Sequence, residues 1–537
     1  MNPKILYKYR EIIERSNLVH SGCPAVYQLK PKKEEFGTLT RMTVGEKNLD
    51  KKNKTILLVG ETGAGKSTLI NALFNYIIGV MWEDEVWFQI LEEERNENQT
   101  ESQTPDVIVY EIFGFEDKTL PYSLTIIDTP GFGDTRGTER DEIVIRRLFQ
   151  LFGSEDGVHE VHAVGLVMKA SDNRLSDRLR YIFDAMMSLF GKDVEKNIVS
   201  LVTHSDGVTP KNVLQALETA KIKCAKNDRN QPAHFLFNNR QNDERTEEEE
   251  LGLKFAWQVT EKGIRQFKAF IERIQPQNTR ETAQVMKERM RLTACIQNLK
   301  ERIELAELKQ TEIRQIREGL QKHEDEMKRN ENFTVEIDEV YKDKQPIDGG
   351  MWLLFFYQGA VCCTVCEENC HYPGCTVTWK PEHCEVMKHS RCTVCTNKCP
   401  ASDHVKEEWR YVTKTRKVQK TEKEMKVKYE KNKSESMNKL SLLQNLEWGM
   451  KQLTAEKSLF LEESYKHVVR LEQIALKADS ASTIVHLDFL IEKMKEEGDK
   501  VKVQKLEEIK SREGEGTRSV LHYMFVKIPE AVKHFKK

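Results

Sequence analysis

The sequence has little net charge, few aromatic residues and no long apolar run. Its 84 Lys and Arg nearly cancel 86 Asp and Glu, leaving −2 over 537 residues; this excludes a simple, strongly basic nucleic-acid binder, so nucleic acid is not an expected partner. The most apolar stretch, residues 351–357 (MWLLFFY), falls well short of the ~18 residues of a membrane span, even when extended to Cys363. The opening MNPKILYKYREIIER has no apolar signal core, residue 2 is Asn2 rather than the glycine that myristoylation needs, and the final HFKK is not a prenylation box. These absences lead to the expectation of a cytoplasmic protein, with peripheral attachment at membranes left open. Aromatics are 8% and apolar residues 39%, whereas charged residues reach 32%, above the roughly 25% of ordinary globular chains. That much charge needs surface with little interior, as on long exposed helices, beside a compact domain. The length suggests about three to four units.

Cysteine is scarce outside one place. Cys23, Cys224 and Cys295 are scattered, and the other nine of twelve fall between Cys362 and Cys399. So local a cluster points to metal before disulfides.

Five segments are expected along the chain. Residues 1–50 form an N-terminal extension with a short helix over 5–13 and strand-like pieces such as 39–44. Residues 51–278 alternate short apolar runs with polar helical stretches: 55–59 (TILLV), 107–112 (VIVYEI), 124–127 (LTII), 161–167 (VHAVGLV), 198–202 (IVSLV) and 234–237 (HFLF). This predicts an α/β domain with a mostly parallel sheet and helices on both faces. The second and third runs lie too close for a parallel crossover and should pair antiparallel. Residues 279–330 carry Leu292, Ile296, Leu299, Ile303, Ala306, Ile313 and Leu320 at a 3-4 spacing that Gln310 and Arg317 break, a long helix or coiled-coil seam. Residues 331–419 hold the cysteine-rich head between two alternating stretches, 333–341 and 409–418, that could pair as an antiparallel ribbon. Residues 420–537 read as a second helical or coiled-coil region, with Leu443, Leu446, Met450 and Leu453 on one seam.

Three elements carry chemistry. Gly60, Glu61, Thr62, Gly63, Ala64, Gly65, Lys66 and Ser67 fit the pattern GxxxxGK[ST] between a strand and a helix opening at Thr68. The glycines let N–H groups turn around a phosphate, and the helix N-terminus adds partial positive charge. Lys66 can reach the β- and γ-phosphates and the Ser67 hydroxyl can ligate Mg²⁺. About sixty residues on, Asp128-Thr129-Pro130-Gly131 follows LTII; Asp128 can hold Mg²⁺ through water, and the Gly131 N–H can sense a γ-phosphate. Then Thr203-His204-Ser205-Asp206 ends IVSLV. The Asp206 carboxylate can accept two hydrogen bonds from guanine N1–H and N2–H₂, which adenine cannot offer. Asn238 and Asn239, after HFLF, can contact the base or support its loop.

In this order the elements resemble a TRAFAC-class P-loop GTPase. Asp128-Thr-Pro-Gly131 with Phe132-Gly-Asp after it, Thr203-His204, and Phe237-Asn238-Asn239 are similar to septins and to the immune-associated GTPases (GIMAP and Toc-type). Residues 71–82 (NALFNYIIGVMW) and the cysteine head resemble an animal group of such GTPases with helical tails. The resemblance implies GTP and GDP as ligands, Mg²⁺ as cofactor, and a switch threonine completing the magnesium shell. Thr104 fits best, with Thr100 the alternative. Together with Lys66 and Gly131, Thr104 would make up the hydrolytic machinery. Where better-known small GTPases place a water-orienting Gln after the D-x-x-G glycine, this chain has Phe132. Slow intrinsic hydrolysis is therefore expected, helped by pairing of G domains, as this branch is thought to use.

In the head, Cys363-Thr-Val-Cys366-x₃-Cys370 repeats as Cys392-Thr-Val-Cys395-x₃-Cys399, with Cys375 and Cys384 between them and His371, His383, His389 and His404 nearby. C-x₂-C knuckles place two thiolates on one metal, and structural zinc takes four N or S ligands. The expected ligands for one or two zinc ions are Cys363, Cys366, Cys370, Cys375, Cys384, Cys392, Cys395 and Cys399. A disulfide-bonded or redox-sensitive head and unliganded buried thiols are the other readings. From Lys406 to Lys439, 12 basic residues stand against 6 acidic ones, which reads as a solvated helix face before a membrane or RNA contact.

The expected function is a guanine-nucleotide-binding protein and slow GTPase. It would cycle between GTP and GDP states to control G-domain association, helical-arm docking or a protein effector, with homodimers through the G domain or a coiled coil. The alternative is a non-catalytic scaffold with permanently bound nucleotide and a zinc-tipped arm.

Overall fold

The computed structural model describes residues 7–36, 39–91, 106–116, 118–130, 138–172, 176–322, 334–347, 359–375, 380–421, 442–512, 517, 520, 521 and 523. Thr100, Thr104, Gly131 and Phe132 lie outside these, as do the side chains of Leu320, Cys375, Leu443 and Leu446. The chain divides into two compact units. One comprises Met1–Met286, Ile474–Ile484 and Ile509–Lys537; the other comprises Lys287–Gln473 and Val485–Glu508.

In the first unit the strands are β1 (Ser16–His20), β2 (Ala25–Leu29), β3 (Lys32–Phe36), β4 (Leu39–Val44), β5 (Asn53–Gly60), β6 (Val86–Gln89), β7 (Ile108–Ile112), β8 (Ser123–Asp128), β9 (Glu160–Val161), β10 (Ala163–Lys169), β11 (Ile198–Thr203), β12 (His234–Leu236) and β13 (Gln277–Asn278). Eight of them form one sheet in the order β12-β11-β10-β5-β8-β7-β4-β3. β12, β11, β10, β5 and β8 are mutually parallel. β7 pairs antiparallel with β8, Ile108 opposite Asp128, as the short connection requires. Strands β8 and β11 are buried at every position, which is why they read as unbroken apolar runs.

The sheet reaches further toward the N-terminus than its apolar runs suggest. β4 pairs parallel with β7 and β3 antiparallel with β4. β3 is Lys-Lys-Glu-Glu-Phe, exposed over its first four residues. Such charge on an edge strand opposes pairing with another chain. Of the helix expected over 5–13, Tyr7, Lys8 and Arg10–Glu14 are helical with a turn at Tyr9, and residues 5 and 6 lie outside the described residues. The Tyr9 hydroxyl donates to Asp84 Oδ2 at 2.6 Å.

The helix Lys66–Ile78 follows β5 and buries Leu69, Ile70, Leu73, Phe74, Ile77 and Ile78, each worth about 1.5–3 kcal/mol when fully buried. Two buried asparagines on it replace missing sheet partners. Asn75 Oδ1 accepts from the Phe88 N–H at 2.9 Å while its Nδ2 donates to the Phe88 carbonyl at 2.7 Å, and Asn71 Oδ1 accepts from the Ile90 N–H at 3.0 Å. Residues 474–484 also belong to this unit. The Leu476 N–H donates to the Phe190 carbonyl at 2.8 Å and the Ala481 N–H to Asp184 Oδ2 at 3.0 Å, and Lys477 is ion-paired with buried Asp184.

The helix Thr279–Lys322 runs on into the second unit. On its seam Leu292, Ile296 and Leu299 are buried and Ile303, Ala306 and Ile313 half-buried. The expected ribbon is present: β14 (Thr334–Pro346) pairs antiparallel with β20 (Trp409–Thr421) over thirteen residues. The helical region expected from 420 is overturned at its start, since Lys420 and Thr421 are strand. Glu339, buried on β14, is the physical reason: Arg416 reaches its Oε2 at 2.7 Å and Lys420 pairs with its other oxygen. The following described helix is Leu442–Ile474; Ala481–Glu497 and Lys500–Ser511 come after it. Between the ribbon strands, β15 (Gly359–Cys363), β16 (Glu368–Cys375) and β19 (His404–Glu407) make a three-stranded sheet in the order β16-β15-β19, and β17 (Met387–Lys388) pairs with β18 (Arg391–Cys392). Arg302 anchors the helix to this head, ion-paired with Glu368 and, at 2.7 Å, with Glu456.

Candidate nucleotide site and cysteine-rich head

In a mostly parallel sheet, loops at the carboxyl ends of neighbouring strands converge, and ligands bind in the crevice they form. β5 ends at the GxxxxGKS loop, β8 at Asp128, β10 at Lys169, β11 at Thr203, and Asn238 lies two residues beyond β12. The three sequence elements are thus brought to one end of one sheet.

The loop needs its glycines. A Cβ on Gly60 would stand 2.4 Å from the Val167 carbonyl oxygen. Gly65, with φ +90°, caps the helix Lys66–Ile78 in the left-handed region, where a side chain is strained. Lys66 is buried; its Nζ donates to the Gly60 carbonyl at 2.8 Å and the Glu61 carbonyl at 3.0 Å. Burial pushes its ammonium down, while Asp128 and Glu61 oppose that shift. Asp128 is fully buried at the end of β8, near enough for its charge to act on Lys66. Glu61 Oε1 accepts from the Ser176 hydroxyl at 3.2 Å.

Thr203 ties two loops together: its hydroxyl donates to the Ala64 carbonyl at 2.7 Å and lies 3.1 Å from the Met168 carbonyl oxygen. His204 has positive φ (52°), and its Nδ1 lies 3.1 Å from Thr203 Oγ1. Ser205 is buried, its N–H donating to the Phe237 carbonyl at 2.9 Å, which leaves Asp206 exposed beside it. Asp206 Oδ1 accepts from the Val208 N–H at 3.0 Å. Thr260 Oγ1 accepts from the Asn238 N–H at 2.9 Å and donates to Asn239 Oδ1 at 3.1 Å. The residues fit a nucleotide on a further observation. Thr62 Oγ1 and Asn239 Nδ2 are buried polar atoms at this end with no hydrogen-bond partner among the described residues, a condition that costs about 1–3 kcal/mol unless a ligand or water meets it.

Sequence reasoning missed Lys169. A Cβ on Gly63 would lie 4.0 Å from Lys169 Nζ, so a second cation stands over the phosphate loop. Its only signal was its place at the end of the apolar run of β10.

In the head the thiols converge in two groups. Cys363, Cys366, Cys395 and Cys399 bring their Sγ atoms within 4.8 Å of one another; Cys370, Cys392, Cys395 and His404 do the same. None of the described cysteines is in a disulfide. The N–H groups of Cys366, Cys395 and Cys399 point at Cys363, Cys392 and Cys395 Sγ, at 3.3, 3.3 and 3.2 Å, a pattern that favours thiolate. Neighbouring thiols, Cys370 foremost for Cys392 and Cys363 foremost for Cys395, hold both well below the usual thiol range.

One expected ligand falls in a different group. Cys384 joins neither of these groups but a third that could hold an ion: its Sγ is 3.1 Å from His371 Nδ1 in a buried trio with Glu385, because β16 carries His371 away from Cys370 by strand alternation. The side chain of Cys375 is outside the described residues. His404 was not among the expected ligands and takes a ligand's place, since β19 pairs with β15 so that His404 lies opposite Cys363.

Comparison with known proteins bears on the nucleotide site's part of the chain. Residues 51–148 match the septin family model. Septin-1 of Drosophila melanogaster is 26% identical over 183 residues, 32% of this chain and 44% of that protein. Septin-4 of Rattus norvegicus is 31% identical over 172 residues, 30% of this chain and 34% of that protein. The chain thus spans less than half the length of these curated relatives. Among solved structures, Toc33 from Arabidopsis thaliana in complex with GDP and Mg²⁺ aligns at 17% identity and a TM-score of 0.28, covering 41% of this chain and 84% of that one. No helix among the described residues is long and apolar enough to cross a membrane. With the family match lying on the phosphate loop and Asp128, this chain contains a septin-like P-loop GTPase domain.

Proposed function

We propose that the first unit binds GTP and GDP with Mg²⁺ and hydrolyses GTP slowly. The observation that carries this is the convergence of Lys66, Asp128 and the exposed Asp206 at the carboxyl ends of β5, β8 and β11. The loop N–H groups, Lys66 and Lys169 would hold the phosphates. Ser67 and Asp128 would hold Mg²⁺, joined by Thr104 when the γ-phosphate is present. Asp206 would select guanine, with Asn238 and Asn239 shaping its pocket. Mg²⁺ would supply charge neutralisation at the transferring phosphoryl group. Phe132 offers no water-orienting group, so efficient turnover would need one from a second G domain. The GTP state would order Thr104 and Gly131 and so change association or docking of the helical arm. In the second unit, the two ligand groups would hold structural zinc, because a small head with few large apolar side chains gains its folding energy from the metal.

Identification of the nucleotide in the purified protein tests the first claim, with Lys66→Ala as control. Guanine nucleotide in the wild type and none in the variant is expected; ATP and GTP bound with equal affinity would overturn the guanine assignment. Phe132 also favours a second reading, a scaffold that keeps its nucleotide. GTP retained unhydrolysed over hours in a single-turnover assay at high protein concentration would select it.

A further inference from the structure

We propose that the head holds two zinc ions bridged by a single thiolate, that of Cys395. The inference rests on the zinc reading above and adds the stoichiometry, the bridge and the eighth coordination position.

Two tetrahedral ions need eight ligand positions. The two groups supply seven side chains, because Cys395 belongs to both. One ion would take Cys363, Cys366, Cys399 and Cys395; the other would take Cys370, Cys392, His404 and the same Cys395. The spacing suits the metal. With Zn–S bonds of about 2.3 Å, two sulfurs on one tetrahedral ion lie about 3.8 Å apart, and Cys366 Sγ is 3.7 Å from Cys399 Sγ.

His404 gives the independent observation. It is 4% exposed. Its Nδ1 lies 2.9 Å from the Pro400 carbonyl oxygen, so Nδ1 carries the proton and donates there, leaving a lone pair on Nε2. Nε2 is buried and has no hydrogen-bond partner among the described residues. An imidazole oriented by a backbone carbonyl through one nitrogen, with the other bare among thiols, is how a histidine is set to ligate a metal.

Sharing also lowers the charge that must be buried. Six thiolates on two Zn²⁺ leave a net −2, whereas separate four-thiolate and three-thiolate sites would leave −3 in total. Cys362 shows the selectivity of the arrangement: next to Cys363 on β15, it faces the opposite side, its Sγ donating to Asn369 Oδ1 at 3.4 Å, and takes no part.

The test is metal analysis of the full chain purified without chelator, with zinc-edge X-ray absorption of the same sample. Two zinc ions per chain, with a zinc–zinc vector near about 3.7 Å as expected for one bridging thiolate, support the proposal. Two zinc ions without that vector overturn the bridge, and one zinc ion per chain overturns the pair while leaving the zinc reading standing. No bound zinc overturns both. Cys395→Ser should lose both ions and Cys399→Ser no more than one; equal losses from the two variants would count against a shared ligand. Because the absorption measurement uses the wild-type chain, the test survives a variant that fails to fold.

Discussion

Thr203, the last residue of β11, donates its hydroxyl to the Ala64 carbonyl of the phosphate loop at 2.7 Å, so the strand bearing the loop proposed to select the base also fixes the loop that would hold phosphate. Gly65 lies against the same side chain; a Cβ there would stand 3.3 Å from Thr203 Cγ2. Thr203→Val keeps the shape and removes the donor. The expected result is a loss of about 1–2 kcal/mol of stability with GTP and GDP weakened together about five- to thirtyfold. Nucleotide titration and thermal unfolding read the two effects; unchanged affinity would contradict the tie.

Asp206→Asn tests base selection. Asparagine presents an N–H₂ where guanine also offers donors, but its amide can donate to the C2 carbonyl of xanthine. GTP affinity should fall at least a hundredfold, and xanthosine triphosphate should compete better than GTP. Competition with a fluorescent nucleotide checks the order, and a variant that still prefers GTP would rule out this role.

His162 gives the first unit a dependence on pH. It is buried before β10, and its Nδ1 accepts from the Thr55 N–H at 3.2 Å, which only a neutral ring can do. Burial foremost, with Lys54 adding to it, pushes this histidine down to about 4. The unfolded chain therefore takes up the proton first, near the usual 6.5 or so. Stability is full above that value and falls as pH drops from there toward 4, by on the order of 2 kcal/mol after allowing for solvent screening. His162→Asn retains an acceptor without a titrating ring, so denaturant unfolding across this range should show a shallower pH slope; an unchanged slope would assign the effect elsewhere.

If His404 ligates zinc as proposed, His404→Ala should release that ion, whereas His404→Cys restores a fourth donor and should retain it. Zinc content and the far-ultraviolet β signal of the full chain read both variants. Equal zinc loss in the two would mean that His404 acts through packing rather than as a ligand. On the same proposal, chelator should make residues 359–407 sensitive to protease, as loss of a structural metal would remove folding energy from the head.

The parts legible in the sequence share one property: their information is local. The GxxxxGKS loop, Asp128 after LTII and Asp206 after IVSLV each declare themselves within eight residues, and the ribbon within two alternating stretches. What escaped depended on pairing. β3 carries Lys and Glu because it lies at the edge, so no apolar run marks it, and β4, legible as a strand-like piece over 39–44, gave no sign that it joins this sheet. His404 stands forty-one residues beyond Cys363 and meets it only through the β15–β19 register. Lys420 resembles the start of a charged helix until buried Glu339, eighty-one residues earlier, is seen to pair with it.

The return of residues 474–484 to the first unit has a practical reading for anyone cutting the chain. A fragment ending at the apparent close of the GTPase region, near 278, would strip Lys477 and the Ala481 N–H from Asp184, whose carboxylate is 5% exposed. A buried acid deprived of its partner costs about 3–5 kcal/mol, a large part of a domain's whole stability. The nucleotide-binding unit is therefore discontinuous in sequence, and the long excursion through helix, ribbon and head is an insertion whose far end helps to hold it together.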